Sequence, residues 1–234
     1  MTLAQAIEHE FWHERWRAGH IGFHDLSVNK LLMKHWPRVC PDPTAGVFVP
    51  LCGKSLDMVW LAERGHAVIG VELSDIAIRD FFSERDLTPD VVREGAFEVW
   101  RGGPFELWCG DFFELPHRVT ARVAAAYDRA SLIALPTDLR PRYAAHMAEI
   151  APRDATTLLQ TIAYDQAEME GPPFSVSPDE VERLYAGLRK VQHLETRDAL
   201  EGSKNLQARG LTALTTTISL IGPRVDGRTA EADG

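Results

Sequence analysis

Val47-Phe48-Val49-Pro50-Leu51-Cys52-Gly53-Lys54-Ser55 is a short run of β-forming residues that breaks into a tight turn, and Leu56, Val59, Trp60 and Leu61 behind it fall on helical spacing. Gly65 closes that helix, and Ala67-Val68-Ile69-Gly70-Val71 supplies a second wholly apolar strand. Ser74 then caps a further helix through Ile76, Ile78, Phe81 and Phe82. Two continuous apolar strands joined by a crossover helix require a parallel sheet buried on both faces, with a right-handed connection.

Working outward, further strands are expected at Phe97–Arg101 and Glu106–Cys109, with Gly102-Gly103 as a hairpin turn. Ala124–Tyr127, Thr156–Ile162, Val191–Thr196 and Leu211–Leu220 complete the set, with helices over Thr137–Ile150 and Pro178–Leu188. Upstream, Ile7, Phe11, Trp12 and Trp16 form a helical stripe ended by Gly19 and Gly22. Asn29 caps a second helix over Lys30–Trp36 that Pro37 stops. The result is a doubly wound α/β domain with an N-terminal helical extension. Residues 1–221 are expected to form the single domain, 1–36 of them the extension, and the Gly- and Asp-rich residues 222–234 are expected to form a disordered tail.

The chain has 234 residues, 45% of them hydrophobic and 25% charged, which suits one globular domain. A net charge of −9 with no run of Lys and Arg argues against nucleic acid and anionic membranes as partners. The first ten residues have neither a basic start nor a long apolar core, so no signal peptide is expected and the cytoplasm is the expected compartment. Cys40, Cys52 and Cys109 are an odd number with no ligand spacing, so reduced thiols and no metal are expected. Nothing requires more than a monomer.

In open α/β sheets, ligands sit outside the carboxyl ends of the strands. The turn Leu51-Cys52-Gly53-Lys54-Ser55 is therefore the first place to look. A P-loop would need glycine where Phe48 stands, and a dinucleotide turn would need glycines where Ser55 and Met58 stand. What remains is one glycine and, at the end of the second strand, Glu72, an acid placed to accept from both hydroxyls of a ribose. Ribose without pyrophosphate points to S-adenosylmethionine. The same residues also read as a plain turn glycine and a solvated strand-end carboxylate. Asp111 and Phe112, after the strand ending at Cys109, suit the edge and face of an adenine; their alternative is a capping acid and a core ring. Asp128 and Arg129 end the strand after Val123 and so fall on the rim of the site, or form a local ion pair.

Phe11-Trp12-x-x-x-Trp16, Ile21-Gly22-Phe23-His24, Pro50-Leu51-Cys52-Gly53-Lys54-Ser55, Gly70-Val71-Glu72-Leu73-Ser74, Leu107-Trp108-Cys109-Gly110-Asp111-Phe112, Tyr127-Asp128-Arg129-Ala130 and Gly171-Pro172-Pro173-Phe174 closely resemble bacterial thiopurine S-methyltransferases, in unbroken order from about Glu8 to about Leu220. The resemblance implies a class I methyltransferase fold, Rossmann-like, with a mostly parallel seven-stranded sheet and an N-terminal helical lid over S-adenosylmethionine, which leaves as S-adenosylhomocysteine. It implies that Trp16, Leu51, Gly53, Glu72, Asp111, Phe112 and Arg129 bind the cofactor, that Arg129 also serves catalysis, and that Phe23 and His24 face the substrate. A second pocket arginine of some members has no clear match in the run from Gly202 to Arg209.

The implied reaction is S-methylation of thiopurines and other aromatic or heterocyclic thiols. An acidic aromatic thiol is already largely thiolate, so no strong general base is needed; His24 or Asp25 could take a proton from a weaker acid. Other soft acceptors remain alternatives: selenium or tellurium compounds, small thiols, or halide. A non-catalytic S-adenosylmethionine-binding protein is the alternative outside the enzymes.

Overall fold

The computed structural model describes residues 3–22 and 27–225. Phe23, His24 and Asp25, and the tail beyond Val225, lie outside the described residues.

The N-terminal stripe is helical: α1 spans Leu3–Arg17, and Gly19, with φ +67°, turns the chain away. Next comes α2, Lys30–Val39, capped by the Asn29 side chain, which accepts from the N–H groups of Leu31 and Leu32. Pro37 does not stop it. The Met33 carbonyl that an N–H at position 37 would have met lies at an exposed residue, and the helix closes a further turn through Cys40 N–H to Trp36 C=O.

The decisive stretch folds as β1 (Gly46–Val49), α3 (Leu56–Glu63), β2 (Val68–Glu72) and α4 (Asp75–Ser83). Every residue of β2 is buried, as a central parallel strand demands. The chain continues through an antiparallel trio, β3 (Asp90–Glu94), β4 (Phe97–Gly102) and β5 (Phe105–Cys109). There follow α5 (His117–Thr120), β6 (Val123–Arg129), α6 (Arg140–Ile150), β7 (Thr156–Ala163), α7 (Pro178–Tyr185), β8 (Arg189–Asp198), α8 (Lys204–Ala208) and β9 (Thr215–Arg224).

These strands form one nine-stranded sheet in the order β3-β4-β5-β2-β1-β6-β7-β9-β8. The seven strands implied by the resemblance are thus two too few, since β3 and β4 extend the β5 edge; of the nine, only β3 has no counterpart among the eight strands read from the sequence. Among the seven strands other than β3 and β4, β5-β2-β1-β6-β7 is parallel throughout, and β9 alone runs against it; β8, antiparallel to β9, points the same way as the parallel strands. The last strand starts at Thr215 rather than Leu211 and runs to Arg224, beyond the expected boundary at 221. The edge strand β8 carries two register irregularities, at Arg189/Val191 and His193/Glu195.

Helices cover both faces. On one side α2, α3 and α4 bury Leu32, Trp36, Met58, Leu61 and Phe81 against the sheet; on the other α6 and α7 bury Tyr143, Met147, Val181 and Tyr185. Each of these side chains removes enough apolar area to contribute about 1.5–3 kcal/mol, and the two layers lock the strand ends in register. The carboxyl ends of β1, β2, β5, β6 and β7 therefore open along one rim, and α1 lies over it. Among the described residues no helix is long and apolar enough to cross a membrane.

Candidate active site

The turn after β1 is built by three constraints. Leu51 takes a left-handed backbone (φ +43°), unusual for a side chain with a γ-branch, and Gly53 follows it at φ +51°. The Gly53 N–H donates to Glu72 Oε2 at 2.9 Å, tying the turn to the end of β2. Beneath it, Gly70 leaves no room for a side chain: a Cβ there would lie 2.7 Å from Cys52 Sγ and from Leu107 Cδ2. The second-strand glycine thus lets the turn settle on the sheet.

Glu72 is buried rather than solvated, and its other oxygen, Oε1, accepts from the Ser74 N–H at 2.8 Å. Burial pushes its carboxyl above the usual carboxylate range, opposed by the N–H groups of Ser74 and Gly53. Each oxygen can still accept a further hydrogen bond. Trp16 of α1, itself buried, sits directly over the turn: a Cβ on Gly53 would lie 3.3 Å from its Cζ2.

After β5, Asp111 caps a one-turn helix at Phe112–Glu114 by accepting from the Phe113 N–H. Its Oδ2 lies 3.5 Å from Nε2 of His9 on α1, so the extension is fastened to this edge too. Phe112 is buried against Tyr143, ring centroids 5.0 Å apart, with the His146 ring edge-on to it. Burial and the nearby Glu72 push the Cys109 thiol up to about 12, so it stays protonated beside the end of β2.

At the end of β6, Arg129 and Ala130 line the cavity, and Ala130 is a second non-glycine residue in left-handed conformation (φ +64°). Asp128 does not join them on the rim. It turns into the core, fully buried, where Tyr143 Oη donates to its Oδ2 at 2.8 Å. Burial outweighs that hydrogen bond and raises the Asp128 carboxyl from 3.8 to about 6. Because the folded state holds this proton more tightly than the unfolded chain, stability falls as pH rises between these values, by about 3 kcal/mol once ionisation is complete. Asp128→Asn removes that dependence. Urea denaturation of both proteins should show the variant gaining stability over wild type by about 2 kcal/mol between pH 4 and 7; a constant gap would mean Asp128 does not titrate there.

The expected cofactor positions Trp16, Leu51, Gly53, Glu72, Asp111, Phe112 and Arg129 come together around one cavity of about 1290 Å³. A single small-molecule site occupies roughly 300–1,000 Å³, so two reactants can share this one. Sequence reasoning missed several of its walls: Arg15 on α1, the pair Pro172-Pro173, Gln160 on β7, and Arg197 and Arg209 from the segment around β8 and α8. Arg209, at the end of the run in which no second pocket arginine was matched, lines the cavity, and its Nη1 donates to Pro172 C=O at 2.9 Å. Among the described residues no group of His, Cys, Asp and Glu is arranged to hold a metal ion.

The profile of the thiopurine S-methyltransferase family matches residues 7–223. The chain belongs to this family. Proteins called thiopurine S-methyltransferase from Pseudomonas fluorescens and Azotobacter vinelandii are 50% and 48% identical to it over 208 residues, covering 89% of this chain and 95% of each relative. Among solved structures, the 1,6-didemethyltoxoflavin-N1-methyltransferase of Burkholderia thailandensis, bound to 1,6-didemethyltoxoflavin and S-adenosylhomocysteine, is similar at a TM-score of 0.66 with 15% identity, covering 95% of this chain and 89% of that one. A TehB-like methyltransferase from Corynebacterium glutamicum is similar at 0.54 with 14% identity, covering 93% and 99%. Like other members of the thiopurine S-methyltransferase family, the chain is an S-adenosylmethionine-dependent enzyme of class I fold.

Proposed function

We propose that the chain methylates the sulfur of small aromatic and heterocyclic thiols, thiopurines among them, with Gly53, Glu72 and Asp111 holding the adenosyl group and Arg129 facing the acceptor. The juxtaposition of those four residues, from the ends of β1, β2, β5 and β6, around a single cavity supports this reading. Glu72 accepts from the ribose hydroxyls with the lone pairs its backbone partners leave free. Gly53 and Leu51 let the backbone lie against the methionine part, while Asp111 and Phe112 border the adenine. Bound there, S-adenosylmethionine supplies a methyl group activated by a sulfonium.

The protein has three tasks. It aligns the acceptor sulfur for in-line displacement, which can lower a barrier by roughly 7–11 kcal/mol. Arg129 favours the thiolate and orients it. Trp16 on α1 covers the sulfonium side, where an indole face attracts a cation by roughly 0.5–2 kcal/mol, and helps exclude water. No general base is needed for an acidic thiol. Protein of net charge −9 and unpaired cysteines suit a cytoplasmic monomer acting on small molecules rather than on nucleic acid or membrane.

The test is turnover with methyl-labelled cofactor against aryl thiols, small thiols, selenite, tellurite and halide. Aryl thiols should be methylated with the highest kcat/KM. Tight cofactor binding with no turnover on any acceptor would make the chain a sensor instead. The lid role has its own check: Trp16→Leu should weaken S-adenosylmethionine binding by about tenfold through the lost cation–π contact and closure. A variant that melts early yet binds normally would reduce Trp16 to a packing residue.

A further inference from the structure

We propose that Gln160 reads the acceptor beside its reacting sulfur, by donating an N–H to a lone pair on the neighbouring ring atom. This rests on the thiol methylation proposed above and assigns that activity a specificity residue. Gln160 is the ladder partner of Arg129 between β6 and β7, and both line the cavity. They lie on the side of the sheet away from β2 and β5, where the adenosyl residues sit.

The orientation of the Gln160 amide is fixed by its neighbours. Asn29 Oδ1 is committed to the Leu31 and Leu32 N–H groups, so Nδ2 is what Asn29 offers, and it donates to Gln160 Oε1 at 2.6 Å. Asn29 is itself held by Asp57, whose Oδ1 accepts from its backbone N–H at 2.8 Å. On the other side Thr216 Oγ1 spends its single proton on Thr161 C=O at 3.1 Å, so it can only accept from Gln160 Nε2, 3.2 Å away. Reversing the amide would set donor against donor at Asn29 and leave Thr216 without a proton for the Gln160 oxygen.

Gln160 therefore reaches the cavity as a donor. Its Nε2 carries two hydrogens; one goes to Thr216, and the other meets no protein acceptor among the described residues. A guanidinium and a fixed N–H side by side complement a thiolate next to an unprotonated ring nitrogen or an exocyclic oxygen. A purely carbocyclic thiol leaves that N–H unpaired, and a buried donor without a partner costs binding.

Pyrimidine-2-thiol and benzenethiol, planar six-membered rings of similar size, separate the two cases. Wild type should favour the heterocycle, and Gln160→Leu should cut the ratio of their kcat/KM values by about tenfold, the scale of one lost hydrogen bond. Gln160→Glu keeps the shape and the Asn29 contact but replaces the donor with an acceptor, so it should depress the ratio at least as far; it is also the informative variant should leucine disturb folding. Both acceptors turned over with an unchanged ratio in either folded variant would overturn the role of Gln160 alone. Wild type that binds S-adenosylhomocysteine but methylates neither thiol would overturn the thiol methylation itself.

Discussion

Glu72→Ala should lose S-adenosylhomocysteine affinity by about 100-fold or more, since hydrogen bonds to a charged group contribute about 1.5–3 kcal/mol each and a ribose offers two. The effect should exceed that of any other single change on the cofactor side, because Glu72 also organises the site before the ligand arrives. Its oxygens already hold the N–H groups of Gly53 and Ser74, so removing them frees the turn after β1 and the start of α4 together. The melting temperature should drop as well. Glu72→Gln keeps an acceptor for one of those N–H groups and should fall between wild type and alanine. Calorimetry of the three proteins decides the matter: an alanine variant binding within about threefold of wild type would leave Glu72 no ligand role.

On the acceptor side, the largest loss should come from Arg129→Met, which keeps most of the side chain's length and removes its charge. Removal of a group that stabilises charge at a reacting centre typically costs about 10²–10³ in rate, and a similar fall in kcat/KM for aryl thiols is expected. Its charge already acts on this part of the fold, holding down the phenol of Tyr127 against the rise that burial imposes. A cation beside a thiol lowers the thiol's pKa, so losing it should move the acid limb of the pH–rate profile to higher pH. Arg129→Lys should recover part of the rate but not the orientation, because a point charge lacks the planar fork. An unshifted limb with reduced kcat would restrict Arg129 to alignment.

Much of this was legible in the sequence, and what was legible has a common cause. β1, α3, β2 and α4 announce themselves because a strand buried on both faces has to be apolar without interruption. Leu51, Gly53 and Glu72 were readable for the related reason that a βα turn and the following strand end are local in the chain. β3 was not: Asp90, Arg93 and Glu94 make it polar, and it is largely exposed on both sides, so no periodicity marks it. Pro37 misled because a proline late in a helix loses only one hydrogen bond, here on an exposed face.

The missed walls of the cavity share another property. Asn29 and Gln160 are 131 residues apart, and only the strand order and the seating of α2 beside β7 bring them together. Gln160 looks like an incidental polar residue inside an apolar strand, just as Arg197 and Arg209 look like surface charges. Asp128 erred the other way. It stands beside Arg129 in the chain, yet successive residues of a strand face opposite ways, and its side belongs to Tyr143.

The two outermost strands have a bearing on how the protein behaves when crowded. β3 presents alternating charge to water, and β8 is both rich in Arg, Lys, Glu and Asp and kinked where its register slips. A neighbouring molecule trying to add its own strand would have to bury charged side chains on either flank. Such a border disfavours fibrillar self-association, so the margins of a broad, highly paired β-sheet carry their own protection against a further strand.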